Sequence, residues 1–347
     1  MMNKIKAVLT VIVLTLLLAL ALEAGLRVYI HYKYGVPGKS YGIYQSDPEL
    51  GAVHRPNSYN SNSVINNWGL RNVEDIDERK PEGALRVYCS GGSTTFCYNL
   101  KTEEAWPSLL ERRLRRLPGH ARDQVLNAGQ VAFSLSHEFA LAKRLVPRLE
   151  PDLTVLYGTG INELAAGFAL IREKRDLDAL LAQRKWGVFS KNLDQANGIK
   201  RNSALVKFFD YKFKHMLQES SRRRFLSQIA QDNGKDQPWI DKNFEMTLRD
   251  YIRFLKGRGS RVLLVRYGDS GVEAAGVRDA ALIFRDRASA IAVEEGASVV
   301  DFASLVEKRP DRKDLFIDSG LHVNMRGADL LADVLLDAIS EGGPAHA

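Results

Sequence analysis

Cysteine is nearly absent, with two in 347 residues, Cys89 and Cys97. Two thiols cannot build a disulfide framework, and neither stands in a metal-ligand spacing. One Cys89–Cys97 bridge is the only pairing open, and spacing alone cannot establish its geometry. Seven histidines are scattered, and His120, His137 and His322 lack acidic neighbours at ligand spacing, so no metal or other cofactor is expected. The six-residue Gly-to-Lys spacing of a phosphate loop is missing, as are internal repeats and low-complexity tracts. Charge of one sign is also lacking over most of the chain. The net charge is +7, yet residues 184–224 hold eleven Lys/Arg against three Asp/Glu, a local +8 that accounts for the whole excess. Composition therefore gives no reason to expect a nucleic-acid partner, and one basic region needs its own explanation.

What is present begins with an apolar run. Residues 7–22 carry no charge and follow Lys4 and Lys6. A spanning helix wants about 20 residues, with roughly 17 the lower edge, and lysines before such a run hold that end in the cytoplasm. Ala19-Leu20-Ala21 offers a small-x-small cleavage site, but residues 27–34 look like a continuation of the helix, which favours an uncleaved anchor over residues 1–34. On either reading the bulk of the chain lies on the extracytoplasmic side. Residues 35–84, rich in Pro, Asn, Ser and Tyr, have turn and loop chemistry. They read as a stalk that also packs against the domain edge, with a short strand around 63–65 and a structural His54.

From Leu85 the pattern alternates. Apolar runs at 85–90, 124–127, 153–157, 261–266 and 297–301 read as buried strands. Between and after them, 107–117, 136–149, 237–256, 279–295 and 326–339 read as helices. Strand–helix alternation predicts a parallel five-stranded sheet covered on both faces, a three-layer α/β/α domain over about 85–340. The interval 163–236 is too long for one crossover and is read as a helical insertion, with helices near 165–183 and 204–230. Its basic residues are either a lid that meets anionic headgroups or an acidic glycan, or a solvated helical face.

The stretch that organises the rest is Leu85-Arg86-Val87-Tyr88-Cys89-Ser90-Gly91-Gly92-Ser93-Thr94-Thr95. Two glycines at a strand end permit a sharp turn, and a serine there stands at the carboxyl edge of the sheet, where open α/β folds bind ligands. Three more fragments reach the same edge: Asn127-Ala128-Gly129-Gln130, Gly160-Ile161-Asn162-Glu163, and Asp318-Ser319-Gly320-Leu321-His322. Their chemistry divides naturally. His322 would take the Ser93 proton, and Asp318 would hold the imidazole tautomer. The Ser93 and Gly129 N–H groups and the Asn162 amide would face a developing oxyanion. Taken singly, Ser93 and Asn162 also suit helix N-caps, Gly129 a strand exit and His322 a helix-capping or core position.

In order and spacing, Ser93, Gly129, Asn162 and His322 resemble the four blocks of the SGNH/GDSL hydrolase superfamily, over about 85–339 without the insertion. The anchor followed by Gly69-Leu70-Arg71 resembles membrane-tethered members of that superfamily. The resemblance implies a flavodoxin-like sheet and an exported serine esterase or O-acyltransferase that needs no cofactor. Its partners would be the membrane, through the N-terminal helix, and an acylated glycan or lipid of the cell envelope as substrate. Gly92 stands where the superfamily usually has Asp, Glu163 where Asp usually follows the Asn, and Asp318 precedes His322 by four residues rather than three. Asp314 and a Ser93–His322 dyad oriented by a carbonyl therefore stay open beside Asp318. An inactive glycan-binding or assembly protein using the same pocket is the competing class.

Overall fold

A computed structural model describes residues 2–163, 237–271, 282–317 and 321–341, together with 167, 179, 203 and 205. The expected helices at 165–183 and 204–230 fall almost wholly outside the described residues.

Helix α1 (Met2–Tyr34) holds a segment, Ile5–Tyr34, that is long and apolar enough to cross a membrane, its most apolar stretch having a mean hydropathy of 2.7. The Glu23 carboxylate of α1 accepts hydrogen bonds from Ser203 Oγ and Leu205 N, both 2.8 Å. After α1 come five short strands, β1 (Ser40–Tyr41), β2 (Tyr44–Asp47), β3 (Gly51–His54), β4 (Ser58–Tyr59) and β5 (Val64–Ile65). β2 and β3 form an antiparallel pair, and β1, β4 and β5 form a second small sheet.

The main sheet follows. β6 (Arg86–Gly91) leads into the one-turn helix α2 (Ser93–Phe96), and α3 (Trp106–Leu114) returns the chain to β7 (Gln124–Asn127). Next come α4 (Leu135–Leu149), β8 (Leu153–Tyr157), α5 (Gln237–Gly257), β9 (Arg261–Val265), α6 (Arg285–Glu294), β10 (Ser298–Val300), α7 (Phe302–Glu307) and α8 (Met325–Glu341). The order is β10-β9-β8-β6-β7, every pair parallel. This is the expected α/β architecture. β6 and β8 are buried along their whole length because helices cover both faces. Alternate residues feed different cores. Val87, Val155 and Val265 meet Trp106, Leu110, Leu331 and Leu335 of α3 and α8. Tyr88, Leu156 and Leu264 meet Phe139, Phe244, Tyr251 and Ile291 of α4, α5 and α6. Fully burying one such side chain contributes about 1.5–3 kcal/mol, so these two layers hold the frame. Both cysteines are buried free thiols.

Residues 66–72 bind tightly to this frame. The Arg71 N–H donates to Asn127 O (2.9 Å), the Asn72 amide donates to Val125 O (2.8 Å), and Asn72 Oδ1 accepts from the Asn127 N–H (3.0 Å). They stand in for a further strand along β7 and cover an otherwise open edge. Behind them His54 is fully buried, its ring 5.0 Å from Phe96 and 5.4 Å from Tyr44. Burial, helped by the nearby Arg71 cation, pulls the imidazole down to about 3. An unfolded His titrates near 6.5, so between about pH 6.5 and 3 the unfolded chain binds the extra proton and stability falls as pH falls. We expect His54→Phe to flatten that acid limb of the melting-temperature profile, read by calorimetry between pH 4 and 8. An unchanged limb would mean that another group sets it.

Candidate active site

The site is assembled where β6 ends. A Cβ on Gly91 would lie 2.1 Å from Thr95 Oγ1 and 2.3 Å from Tyr157 O, so α2 can fold back against the end of β8 only if residue 91 is glycine. The Thr95 hydroxyl sits in that gap and shares its single O–H between Tyr157 O (3.0 Å) and Ser90 O (3.2 Å). α2 is closed by Phe96 N–H to Gly92 O (3.0 Å) and Tyr98 N–H to Ser93 O (3.2 Å). Cys97 ends it in the left-handed region, at φ +57°. Ser93 is thus the first residue of a turn pinned between two strands.

His322 comes from the other end of the chain. Phe316 and Val323 form an antiparallel bridge, the Ile317 N–H donates to His322 O (2.9 Å), and the Asn324 N–H donates to Leu315 O (2.9 Å). Asn324 also starts α8, accepting on Oδ1 from the N–H groups of Arg326 (2.9 Å) and Gly327 (3.1 Å) as an N-cap does. α8 is tied to α3 by Arg113, paired with Asp329 (2.6 Å) and Asp333 (2.7 Å). This scaffold leaves His322 Nε2 2.8 Å from Ser93 Oγ, across 229 residues of sequence. That is the reach a general base needs from its nucleophile.

The other expected residues are placed as follows. The Asn162 side-chain amide donates to Phe133 O (2.7 Å) and stands so close to Gly92 that a Cβ there would lie 2.9 Å from Nδ2. An amide nitrogen carries two hydrogens, and this bond uses one of them. Gly129 lies directly against α2, where a Cβ would meet Phe96 N at 2.3 Å. Its N–H donates to Asn127 Oδ1 (3.0 Å). Glycine at 129 is therefore required for close backbone packing. Asp318 lies outside the described residues. Asp314 offers its main-chain carbonyl to Asn324 Nδ2 (2.7 Å).

Three further features lie around the site. Ala132 takes the left-handed conformation, φ +65°, in an exposed turn whose Gln130 and Phe133 carbonyls flank Gly92. Such strain in a non-glycine residue gathers at functional sites. Arg71 sends its guanidinium under α2 from a loop that reads as a stalk. Beneath the site, two carboxyls are buried together. Glu138 accepts from Ser90 Oγ (3.2 Å), which itself accepts from Tyr251 Oη (2.9 Å), and burial with the Glu163 charge beside it raises Glu138 well above the carboxylate range. Glu163 accepts from the Leu135 N–H (2.6 Å) at the start of α4, and burial raises it to about 7.

The model of the GDSL-like lipase/acylhydrolase family matches residues 89–330, about seven-tenths of the chain. The chain belongs to that family, whose members act on ester bonds. No curated protein matches it by sequence. Among solved structures it is similar to the lipase/acylhydrolase from Enterococcus faecalis, at 15% identity and a TM-score of 0.45, over 76% of this chain and all of that one. It is also similar to Axe2, an acetylxylan esterase from Geobacillus stearothermophilus, at 17% identity and a TM-score of 0.45, over 77% of this chain and 98% of that one.

Glu163 carries a pH signature. With its folded pKa raised above the ordinary Glu value near 4.3, the folded state holds the extra proton, so stability falls as pH rises from about 4.3 through 7. Glu163→Gln keeps an oxygen acceptor for the Leu135 N–H and removes the titration. We expect it to be close to neutral at pH 5 and stabilising at pH 8 in chemical denaturation. Equal effects at both pH values would show that Glu163 is ionised throughout.

Proposed function

We propose that this chain is a membrane-anchored serine esterase or O-acyltransferase that works through a Ser93 acyl-enzyme on O-acyl esters of a cell-envelope glycan or lipid. The observation that carries the reading is the 2.8 Å approach of His322 Nε2 to Ser93 Oγ. Family membership supplies ester chemistry, and the apolar N-terminal helix supplies the membrane. With Lys4 and Lys6 at its inner end, the positive-inside rule puts the α/β domain outside the cytoplasm, which is where envelope esters lie. An acetyl group on a glycan is the first choice of substrate, a lipid ester the second.

The steps follow from the site. His322 Nε2 takes the hydroxyl proton as Ser93 Oγ attacks the ester carbonyl. The carbonyl oxygen becomes an oxyanion beside the Ser93 N–H and the second hydrogen of the Asn162 amide; the Gly129 N–H can join them only by leaving Asn127. Each such donor is worth roughly 3–4 kcal/mol of barrier. Collapse of the tetrahedral species expels the alcohol, which receives the proton from His322 and leaves an acyl group on Ser93. A water or a sugar hydroxyl then repeats the sequence in reverse, giving hydrolysis or transfer. Asp318 is proposed to orient the His322 imidazole.

The full chain in detergent micelles is the material for the test. A fluorophosphonate should label Ser93, mapped by peptide mass spectrometry, and p-nitrophenyl acetate should be turned over. Ser93→Ala and His322→Ala should each lower kcat by roughly a thousandfold or more with unchanged melting curves. A wild-type chain that is folded yet inert to both reagents would be the inactive binding protein instead.

A further inference from the structure

One strongly charged group is buried at the site with no part in the acyl chemistry. Arg71 is wholly inaccessible, and among the described residues no carboxylate pairs with it. Its Nη1 donates to Phe96 O and to Cys97 O (3.0 Å), and its Nη2 donates to Leu100 O and to Asn62 O (3.2 Å). The guanidinium carbon lies 4.4 Å from the Phe96 ring centre. A buried cation without a counter-ion is costly. Four carbonyls solvate this one, and three of them belong to the chain that leaves α2.

Phe96 O is one of the groups that the C-terminus of α2 leaves without a partner, and Cys97 O, just after it, also accepts the Leu100 N–H (3.0 Å). α2 has only four residues, and Cys97 closes it in a left-handed conformation, so the turn has little intrinsic stability. The planar fork of an arginine presents five donors in a fixed geometry and here serves four carbonyls, whereas a lysine ammonium has three donors at a single point. The loop is built to deliver it. Asn66 Oδ1 accepts from the N–H groups of Trp68 (2.9 Å) and Leu70 (3.0 Å), Gly69 turns at φ +75°, and Leu70 is buried in the core. The Arg71 main-chain N–H meanwhile holds Asn127 O at the end of β7, two residues before Gly129 packs on Phe96.

We propose that Arg71 is a positioning residue: it clamps the C-terminal carbonyls of α2 so that Ser93 Oγ is held within hydrogen-bond reach of His322. The role in turnover rests on the esterase reading above; the clamp itself does not. Arg71 is too deeply buried to meet substrate, so its loss acts on kcat and leaves KM nearly alone.

The test uses full-length Arg71→Lys in micelles, with two readouts. In the first, kcat for p-nitrophenyl acetate and the rate of fluorophosphonate labelling should both fall at least tenfold, with KM within about threefold. In the second, hydrogen exchange at the Phe96 and Tyr98 amides should quicken at least tenfold while Leu110 and Leu331 in the core keep their protection. A folded Arg71→Lys with wild-type kcat, or with unchanged exchange at those two amides, overturns the clamp. If wild type is inert but the exchange responds, the esterase reading fails and the clamp stands. Should Arg71→Lys not fold, Phe96→Leu keeps every carbonyl and removes the ring beneath the guanidinium. It should lower kcat at least threefold and quicken exchange at Tyr98; no change in either overturns the proposal.

Discussion

The site depends on backbone meeting backbone without side chains between them. α2 is wedged between the end of β8, at Tyr157 O, and the exit of β7, at Gly129. Gly91 allows the first contact and Gly129 the second, and in both places a Cβ would fall within 2.4 Å of a main-chain or threonine atom. Real Cβ atoms do not approach so closely, so either substitution would push the nucleophile turn outward. Because a proton-transfer contact is useful only over a few tenths of an ångström, the position of Ser93 is set by what is missing at residues 91 and 129 more than by anything the serine does.

Once α2 is held, the remaining geometry follows from ordinary packing. α3 and α8 lie on one face of the sheet and share a continuous apolar layer. The Arg113 pairs with Asp329 and Asp333 sit at its rim, where such pairs contribute little individually. Fixing α8 fixes Asn324, which caps it, and Asn324 is two residues from His322. The Ser93–His322 distance is therefore the end of a chain of contacts: apolar layer, helix, cap, then a two-residue bridge.

Much of this was legible in sequence, and the exceptions share one cause. The five strands, the serine after two glycines and the histidine before a helix all leave side-chain signals, through apolar runs, turn residues and caps. α3 stops at Leu114, three residues short of the apolar spacing that suggested 117, because Arg115–Leu117 tighten into turns whose N–H groups reach back to Glu111, Arg113 and Leu114. The close packing of Gly129 on α2 and the hydrogen bond from its N–H to Asn127 leave no mark in the sequence, because both depend on how β7 meets α2. Gly69-Leu70-Arg71 was legible only as a resemblance; what Arg71 binds was not, because it reaches carbonyls 25 to 29 residues away and every residue has a carbonyl. Ala132 was equally silent, because alanine gives no hint of a left-handed turn.

These silent features share a location. The two apolar layers cover the middle of the sheet, but at its carboxyl edge the strands end and their polar groups must be satisfied by something other than a ladder. Arg71, Asn127, Thr95 and Glu163 do this there, and Asn72 does it along the open side of β7, each with a hydrogen bond to main chain. Two of them arrive from residues 66–72, ahead of the first strand of the main sheet. The family match begins at residue 89, yet the groups that support α2 and Ser93 begin earlier. A boundary at residue 85 would cut through the hydrogen-bonded edge of β7 and remove the cation under α2. The segment between the apolar N-terminal helix and the sheet is thus part of the structure that holds Ser93 in place.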